Sequence, residues 1–174
     1  MTKVELLPVH GDREAFLPLL LEADESEEMV RTYLKEGQLL AVEVDGTTAG
    51  EMLVIPVGVA PDGDTPEGET PEGETWEIRN IAIAEEQRGR GVGRRAIELL
   101  ADLAAANGVG RLLVGTADIA WETHRFYLRC GFRYTGVRRG FFERYPEPVL
   151  FDGMVVRDMV LFDRPTSDGP FPPS

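Results

Sequence analysis

The sequence has little of the residue types that build disulfide, metal and nucleophile sites. Its 174 residues include one cysteine, Cys130, and two histidines, His10 and His124. One cysteine excludes an intrachain disulfide framework and fits a reducing compartment. The His, Cys and carboxylate residues show no convincing metal-ligand spacing, so no metal site is expected. Cys130 is either a nucleophile or a small apolar residue packed beside Gly131-Phe132, and we favour the second interpretation.

Long apolar runs and basic residues are also scarce. The apolar runs fall far short of the ~20 residues that cross a bilayer, and early charges such as Asp12 and Arg13 leave no readable signal peptide. The 18 Lys and Arg residues face 31 Asp and Glu residues, for a net charge of −13. This charge argues against a nucleic-acid partner and is compatible with cationic amine substrates or with ordinary solubility. We expect a cytoplasmic protein with one domain, residues 1–164, and a flexible proline-rich tail, residues 165–174.

One short basic stretch contrasts with this acidity: Arg88-Gly89-Arg90-Gly91-Val92-Gly93-Arg94-Arg95. It joins an apolar strand pattern to an amphipathic helix pattern. Its alternating glycines leave backbone N–H groups uncovered, and the first amides of a helix are unpaired and partly positive. Arginines there oppose the helix dipole, so helix stability does not explain them. The stretch therefore predicts a phosphate or pyrophosphate site, the alternative being a turn with solvated arginines.

Two common nucleotide motifs and one hydrolase motif do not fit. The Walker pattern needs Gly-Lys-Ser/Thr, whereas Arg94 follows Gly93. The dinucleotide motif needs its third glycine one position later, where Arg94 stands. No Gly-x-Ser-x-Gly elbow is present.

A third pattern fits better. Arg88 to Gly93 resembles the Arg/Gln-x-x-Gly-x-Gly pyrophosphate signature of the GNAT superfamily of N-acetyltransferases. The preceding Asn80-Ile81-Ala82-Ile83 and the later Arg125-Phe126-Tyr127-Leu128-Arg129-Cys130-Gly131-Phe132 are similar to two further family motifs, and the resemblance covers roughly Glu77 to Met159. It implies acetyl-CoA as cosubstrate. The residues it implies for binding acetyl-CoA are Ile81, Ala82, Ile83, Arg88, Gly89, Arg90, Gly91, Val92, Gly93 and Arg94.

The periodicity of the chain predicts a mixed α/β fold of order β-α-α-β-β-β-α-β-α-β-β. The expected strands are residues 4–7, 38–44, 49–57, 76–83, 111–115, 132–137 and 154–162; helices are expected from Asp12, from Ser26, and over 92–107 and 121–130. The resemblance implies a mixed, mostly antiparallel central sheet whose central strands splay apart, flanked by helices. The acidic segment Pro61 to Glu74 has no apolar side chain to bury and predicts a mobile loop, either a lid or a neutral insertion.

Acetyl transfer needs a neutral amine and a protonated leaving thiol. The resemblance implies Tyr127 as the proton donor to sulfur; the alternative is a half-buried helix aromatic. Glu77 is the expected base, because a Glu in this strand serves so in some family members; the alternative is a solvated carboxylate at the strand edge. Many members carry an asparagine seven residues before the tyrosine. Ala120 stands there instead, and Asp118 or Thr116 is the substitute that we consider.

These expectations describe direct attack of a primary amine on acetyl-CoA without a covalent intermediate. The acceptor stays open between a polyamine, an aminoglycoside-like compound, an amino acid and a protein N-terminus. A homodimer is compatible with the resemblance, since dimers are common in that family. Two alternatives remain: a catalytically idle CoA-binding or sensor domain on the same fold, and an anion-binding module for an unrelated nucleotide.

Overall fold

The computed structural model describes residues 2–57 and 74–166, which form both helices and strands. The elements are β1 (Val4–Pro8), α1 (Leu17–Ala23), α2 (Glu27–Tyr33), β2 (Gln38–Val44), β3 (Thr47–Val57), β4 (Glu74–Ile83), α3 (Val92–Ala106), β5 (Val109–Ala117), α4 (Trp121–Arg129), β6 (Arg133–Arg138), β7 (Leu150–Phe151), β8 (Met154–Val155) and β9 (Met159–Pro165), with 3₁₀ turns at Arg13–Phe16, Glu85–Gln87 and Phe141–Arg144. The predicted mixed α/β class is confirmed.

The chain divides into two compact units. The first comprises Met1–Pro56 and Ile78–Leu103, and the second comprises Val57–Glu77 and Ala104–Ser174, as far as these residues are described. The strand order is β1-β2-β3-β4 in the first unit and β5-β9-β6 in the second, while β7 and β8 form a separate two-stranded sheet. The pairings β1–β2, β2–β3, β5–β9 and β6–β9 are all antiparallel, so the expected mostly antiparallel arrangement is confirmed.

The first unit has a core between its two short helices and its strands. Leu20 of α1 and Val30 of α2 are completely buried against Leu39 and Leu53 of β2 and β3. The start of α2 follows from the sequence, because the Ser26 hydroxyl accepts a hydrogen bond from the Met29 N–H at 3.3 Å. Such N-caps are worth about 1 kcal/mol.

The first predicted helix is split. Asp12 caps as expected, its carboxylate accepting from the Glu14 N–H at 2.9 Å, but it caps a 3₁₀ turn over Arg13–Phe16. The α-helix begins only at Leu17, which places Pro18 in its first turn. Proline lacks an N–H and is tolerated only there, so the chain starts a new helix around it.

Strand β3 is constrained near its start by two local features. The predicted hairpin turn before it is confirmed, since Asp45 and Gly46 both have positive φ, 50° and 81°, as a type I′ turn requires. Further on, a Cβ added to Gly50 would lie 2.4 Å from the Ala82 carbonyl oxygen and 2.9 Å from Ile83 Cδ1. No side chain fits at Gly50 without displacing β4.

The predicted single strand over residues 154–162 is wrong. The strand is interrupted at Val156 to Asp158. The backbone groups of these residues form hydrogen bonds with residues of connecting segments instead of with a neighbouring strand. The carbonyl of Asp158 accepts from the Asp118 N–H at 3.0 Å, and that of Arg157 accepts from the Phe142 N–H at 3.0 Å. The residues before the break form β8, which pairs with β7 across a turn that the sequence analysis missed.

The acidic segment Pro61 to Glu74 lies, apart from Glu74, outside the described residues. At the other end, Pro165 closes β9, and the remainder of the expected tail after residue 166 is not described. In the part of the chain that is described, no helix is long and apolar enough to cross a bilayer.

Candidate active site

The loop between β4 and α3 is shaped by glycines. Gly89 and Gly91 have φ values of 72° and 79°, a backbone conformation that residues with a side chain rarely adopt. A Cβ added at either glycine would meet no atom of a described residue within 4 Å. The glycines are therefore required by backbone conformation, and the space beside them is open to a ligand.

The start of α3 presents backbone donors beside this open space. The Arg95 N–H donates a hydrogen bond to the Gly91 carbonyl at 3.0 Å. The N–H groups of Val92 and Gly93 come before Arg95 in the chain and belong to the first turn of the helix. The first turn contains no acidic side chain. Amides at a helix start carry partial positive charge and bind anions. The loop and helix together form a site suited to a phosphate or pyrophosphate group.

The arginines of the loop are largely engaged by neighbours. Arg88 donates from Nε to the Ile83 carbonyl at 2.7 Å and also pairs with Glu22 of α1. Arg90 donates to the Gln87 side chain at 2.6 Å. Arg94 and Arg95 lie 3.6 and 3.0 Å from the Glu98 carboxylate. Arg88 thus holds the loop against β4, and the backbone is the better anion donor.

The three candidate residues on β4 face two ways. Ala82 is buried, whereas Ile81 and Ile83 are half-buried. Asn80 shares the face of Ala82, and its Nδ2 donates to the Leu20 carbonyl at 3.1 Å and to the Tyr33 hydroxyl at 3.0 Å. Ala82 therefore faces α1 and α2, and the two isoleucines project from the opposite face of the strand.

Glu51 on β3 is a buried carboxyl group that the sequence analysis missed. It is completely buried, and neither oxygen has a well-formed hydrogen bond to any described residue. Burial raises the pKa of Glu51 to about 8, with the Ala82 backbone opposing the rise. The sequence did contain one indication of this buried group, since Glu51 is the only charged residue in the apolar run 49–57.

Tyr127 of α4 lies in an aromatic cluster of the second unit. Its side chain is 4% exposed, and its ring packs against Phe132 and Phe162 at centroid distances of 5.6 and 5.8 Å. Burial raises the pKa of Tyr127 well above its ordinary value, with a smaller contribution from Cys130. The phenol therefore keeps its proton throughout the neutral pH range, as a proton donor must. Cys130 itself is buried, in agreement with the packing interpretation.

His124, one turn before Tyr127, has a local structural contact. It is buried, and its Nε2 lies 2.8 Å from the Ala117 carbonyl oxygen. Because a carbonyl only accepts, Nε2 carries the proton. The ring also contacts Phe162 and Trp121 edge-on at 5.3 and 5.6 Å. His124 thus stabilises the turn between β5 and α4.

Glu77 is buried and paired, unlike a solvated carboxylate at a strand edge. It is 4% exposed, and its Oε1 accepts a hydrogen bond from Nη1 of Arg138 at 3.1 Å. Arg138 ends β6 and was not identified from the sequence, where it is one of two adjacent arginines with nothing to distinguish it. The pair therefore places the Glu77 carboxyl group beside a guanidinium group.

Tyr127 and Glu77 lie on opposite faces of β9. Arg138, the partner of Glu77, is in register with Met159 and lies 3.7 Å from its sulfur. Tyr127 packs against Phe162. Because side chains alternate along a strand, positions 159 and 162 project to opposite faces. The second unit therefore does not bring the two candidate catalytic residues into contact.

The position of the missing asparagine is filled by closely packed residues. Ala120 is buried. Asp118 accepts from the Asp158 N–H at 3.3 Å through Oδ2, while its Oδ1 is buried and has no hydrogen bond to a described residue. Asp118 thus holds the loop before β9. In the described ranges, no group of three or more His, Cys, Asp or Glu residues could hold a metal ion.

Comparison with known proteins agrees with this geometry. Residues 10–132 match the Acetyltransferase (GNAT) family model. The chain is 28% identical over 143 residues to the uncharacterised N-acetyltransferase YvbK of Bacillus subtilis (strain 168), covering 82% of this chain and 83% of that one. It also resembles a GNAT acetyltransferase from Elizabethkingia anophelis solved with acetyl-CoA (27% identity, TM-score 0.78, covering 93% and 97% of the two chains). A Bacillus subtilis acetyltransferase in complex with CoA matches at 26% identity and TM-score 0.73, covering 92% and 97%.

The chain belongs to the GNAT family of acetyltransferases, because the family model matches well over half of its length. The family expectation from the sequence, and with it the expectation of an acyltransferase enzyme, is confirmed.

Proposed function

We propose that this protein transfers an acetyl group from acetyl-CoA to a primary amine. The observation that carries the proposal is the loop at Gly89 and Gly91, open beside its glycines and followed by the amides that begin α3. Two structural neighbours that match over nine-tenths of this chain were solved with acetyl-CoA or CoA, which supports this choice of cosubstrate over other nucleotides.

In this proposal the chain binds acetyl-CoA mainly through its backbone. The amides from Gly89 to Arg94 hold the pyrophosphate, and Arg90 and Arg94 add positive charge. Ile81 to Ile83 line the pantetheine arm with apolar surface and backbone groups. The open space beside the glycines is compatible with a bulky diphosphate, which supports this assignment.

The chemical step is direct attack of the neutral amine on the thioester carbonyl. The new N–C bond forms as the C–S bond breaks, without a covalent enzyme intermediate. Glu77 accepts the proton of the amine, directly or through a water molecule. Tyr127 donates its proton to the leaving sulfur from the other face of β9, so the two residues act on the thioester without contacting each other. The Arg138 guanidinium donates a hydrogen bond to Glu77 Oε1 and so fixes the position of the carboxyl group. The raised pKa of Tyr127 keeps it in its donating form.

One observation favours an alternative, a catalytically idle CoA-binding domain. Ala120 occupies the position at which many GNAT members have an asparagine, and Asp118 is already engaged with the loop before β9. Such a protein binds CoA without transferring acetyl groups.

The remaining proposals concern organisation. The family match over residues 10–132 includes parts of both compact units, which supports one acetyltransferase domain over residues 1–164. Cys130, the single cysteine of the sequence, is compatible with the reducing cytoplasm. A homodimer is a compatible assembly.

Thiol release from acetyl-CoA across a panel of primary amines tests the proposed function. We expect turnover with one class of amine, and at least 10-fold slower turnover in Glu77→Gln, following the usual size of general-base effects of ~10²–10⁴. Thermal shift with acetyl-CoA, ATP and NAD should show stabilisation by acetyl-CoA alone. Binding without turnover on any amine points to the idle domain, and stabilisation by ATP or NAD alone contradicts the assignment to CoA.

A further inference from the structure

The Arg138 side chain extends past Met159 of β9 to reach Glu77. It starts at the end of β6, in register with Met159 of β9. Its Nη1 lies 3.7 Å from the Met159 sulfur and 3.1 Å from Glu77 Oε1 on β4. Extending and half-burying a guanidinium group costs conformational entropy and hydration. Because the extended Arg138 side chain is costly, we expect a function that explains it.

The guanidinium group of Arg138 uses only part of its donor set. An arginine presents five N–H donors in a planar fork, and both contacts of Arg138 come from Nη1. Arg111 in the same unit uses both Nε and Nη2 on the Asp163 carboxylate, each at 2.7 Å. Among the described residues, none accepts a hydrogen bond from Nε or Nη2 of Arg138, so this edge of the fork is available.

The available edge is both fixed and accessible. The Arg138 side chain is 27% exposed, whereas that of Glu77 is 5% exposed. The buried carboxylate and the Met159 side chain hold the guanidinium in place, while part of the Arg138 side chain stays exposed. A preorganised guanidinium edge binds a carboxylate through two parallel hydrogen bonds.

We propose that Arg138 determines acceptor specificity by binding a carboxylate of the substrate, so that the acceptor is an amino acid. This inference rests on the proposed function and names the acceptor class for the same site. Glu77 then faces the amine end of the molecule, and Arg138 faces its acid end. The adjacent opposite charges of the pair match an amine and a carboxylate on one carbon atom. A polyamine, by contrast, would bring positive charge against Arg138.

The test compares α-amino acids with the corresponding amino acid amides, which keep the amine and side chain and lose the negative charge. The wild type should prefer the acids. In Arg138→Met, kcat/KM for the acids should fall roughly 10- to 100-fold, the usual effect of losing a hydrogen bond to a charged group, whereas kcat/KM for the amides should change little. Arg138→Lys should retain part of the preference. Arg139→Met, at the exposed neighbouring position, is the matched control and should retain it fully.

A second variant addresses folding, because Arg138→Met leaves the Glu77 carboxylate buried without this partner. Glu77→Gln/Arg138→Met removes both charges, and its thermal stability is measured beside that of Glu77→Gln alone. Calorimetric binding of the amino acid in the presence of CoA should be lost in the double variant and kept in Glu77→Gln. Acetyl-CoA affinity should be unchanged in both, which excludes a phosphate of CoA as the anion bound by Arg138.

The outcomes separate the inference from the proposed function. An equal loss on acids and amides, or a wild-type preference for amides or polyamines, overturns the inference and leaves the transferase assignment intact. Amino acid binding that depends on Arg138 without any acetyl transfer supports the inference and contradicts the transferase assignment. Unchanged amino acid binding in the double variant also overturns the inference.

Discussion

The loop of the first unit and the Glu77–Arg138 pair of the second unit are built in different ways. The loop depends on positive φ at Gly89 and Gly91 and on backbone amides. The pair depends on two side chains from strands far apart in sequence, held together by an ion pair of 3.1 Å. A backbone site follows from local sequence, whereas a side-chain site follows from tertiary packing. This difference determines which residues are sensitive to substitution. It also determines which functional residues could be predicted from the sequence.

The largest effect is expected for Gly91→Val in the backbone site. Valine is β-branched and does not adopt the observed φ of 79° without strain, and its side chain would enter the space left for the anion. We expect acetyl-CoA binding to be abolished, as measured by calorimetry.

Gly108→Val is the matched control for this change. Gly108 also has positive φ, 75°, and open space at its Cβ, but it follows the far end of α3. It should lose stability and keep acetyl-CoA binding. Unchanged affinity in Gly91→Val, or equal losses in the two variants, would remove the special role of the loop.

Loss of a catalytic side chain should lower turnover without weakening acetyl-CoA binding. Tyr127→Phe tests this expectation. The change removes one hydroxyl and keeps the ring that packs against Phe132 and Phe162. We expect kcat to fall by ~10²–10⁴ with little change in acetyl-CoA affinity. Tyr134→Phe, in the same cluster but 58% exposed, should keep wild-type kcat. Wild-type turnover in Tyr127→Phe would reduce Tyr127 to a packing residue.

The smallest expected effect concerns stability and pH, at Glu51. Burial raises the pKa of Glu51 from its ordinary value to about 8, which means that the folded chain holds this proton more tightly than the unfolded chain. The free energy of unfolding should therefore fall as pH rises from about 5 to 8. Below the ordinary pKa of a glutamate, burial of Glu51 should cause no such loss of stability. Glu51→Gln should remove this slope and gain about 1–3 kcal/mol at pH 8.

Urea denaturation at pH 5 and pH 8 measures this effect. Glu43→Gln, at a half-buried position on the adjacent strand β2, is the control and should keep the wild-type slope. A parallel pH dependence in Glu51→Gln and the wild type would show that the Glu51 carboxyl group is not the source.

Much of the fold could be predicted because its signals are local. The Ser26 cap, the Asp45-Gly46 turn and the strand at Gln38–Val44 all depend on neighbours in sequence, and each was predicted. The break at Val156 to Asp158 could not be predicted from periodicity. Its backbone bonds to Asp118 and Phe142, which are distant in sequence.

The candidate sites follow the same rule. The glycine loop could be recognised from the sequence, because the residues that shape it are consecutive. Arg138 gives no comparable signal, since its importance comes from an ion pair with a residue 61 positions away. Glu51 lies between these cases: one charge in an apolar run was visible, but only packing shows that both oxygens are enclosed.

The tight approach of β3 to β4 at Gly50 has a consequence for mutational scanning. An alanine there would place its methyl carbon 2.4 Å from the Ala82 carbonyl oxygen, so every substitution should be depleted from a library selected for activity. Gly91 substitutions should be depleted as well. Protein abundance separates the two positions: Gly50 variants should disappear from the soluble fraction, whereas Gly91 variants should accumulate there without activity.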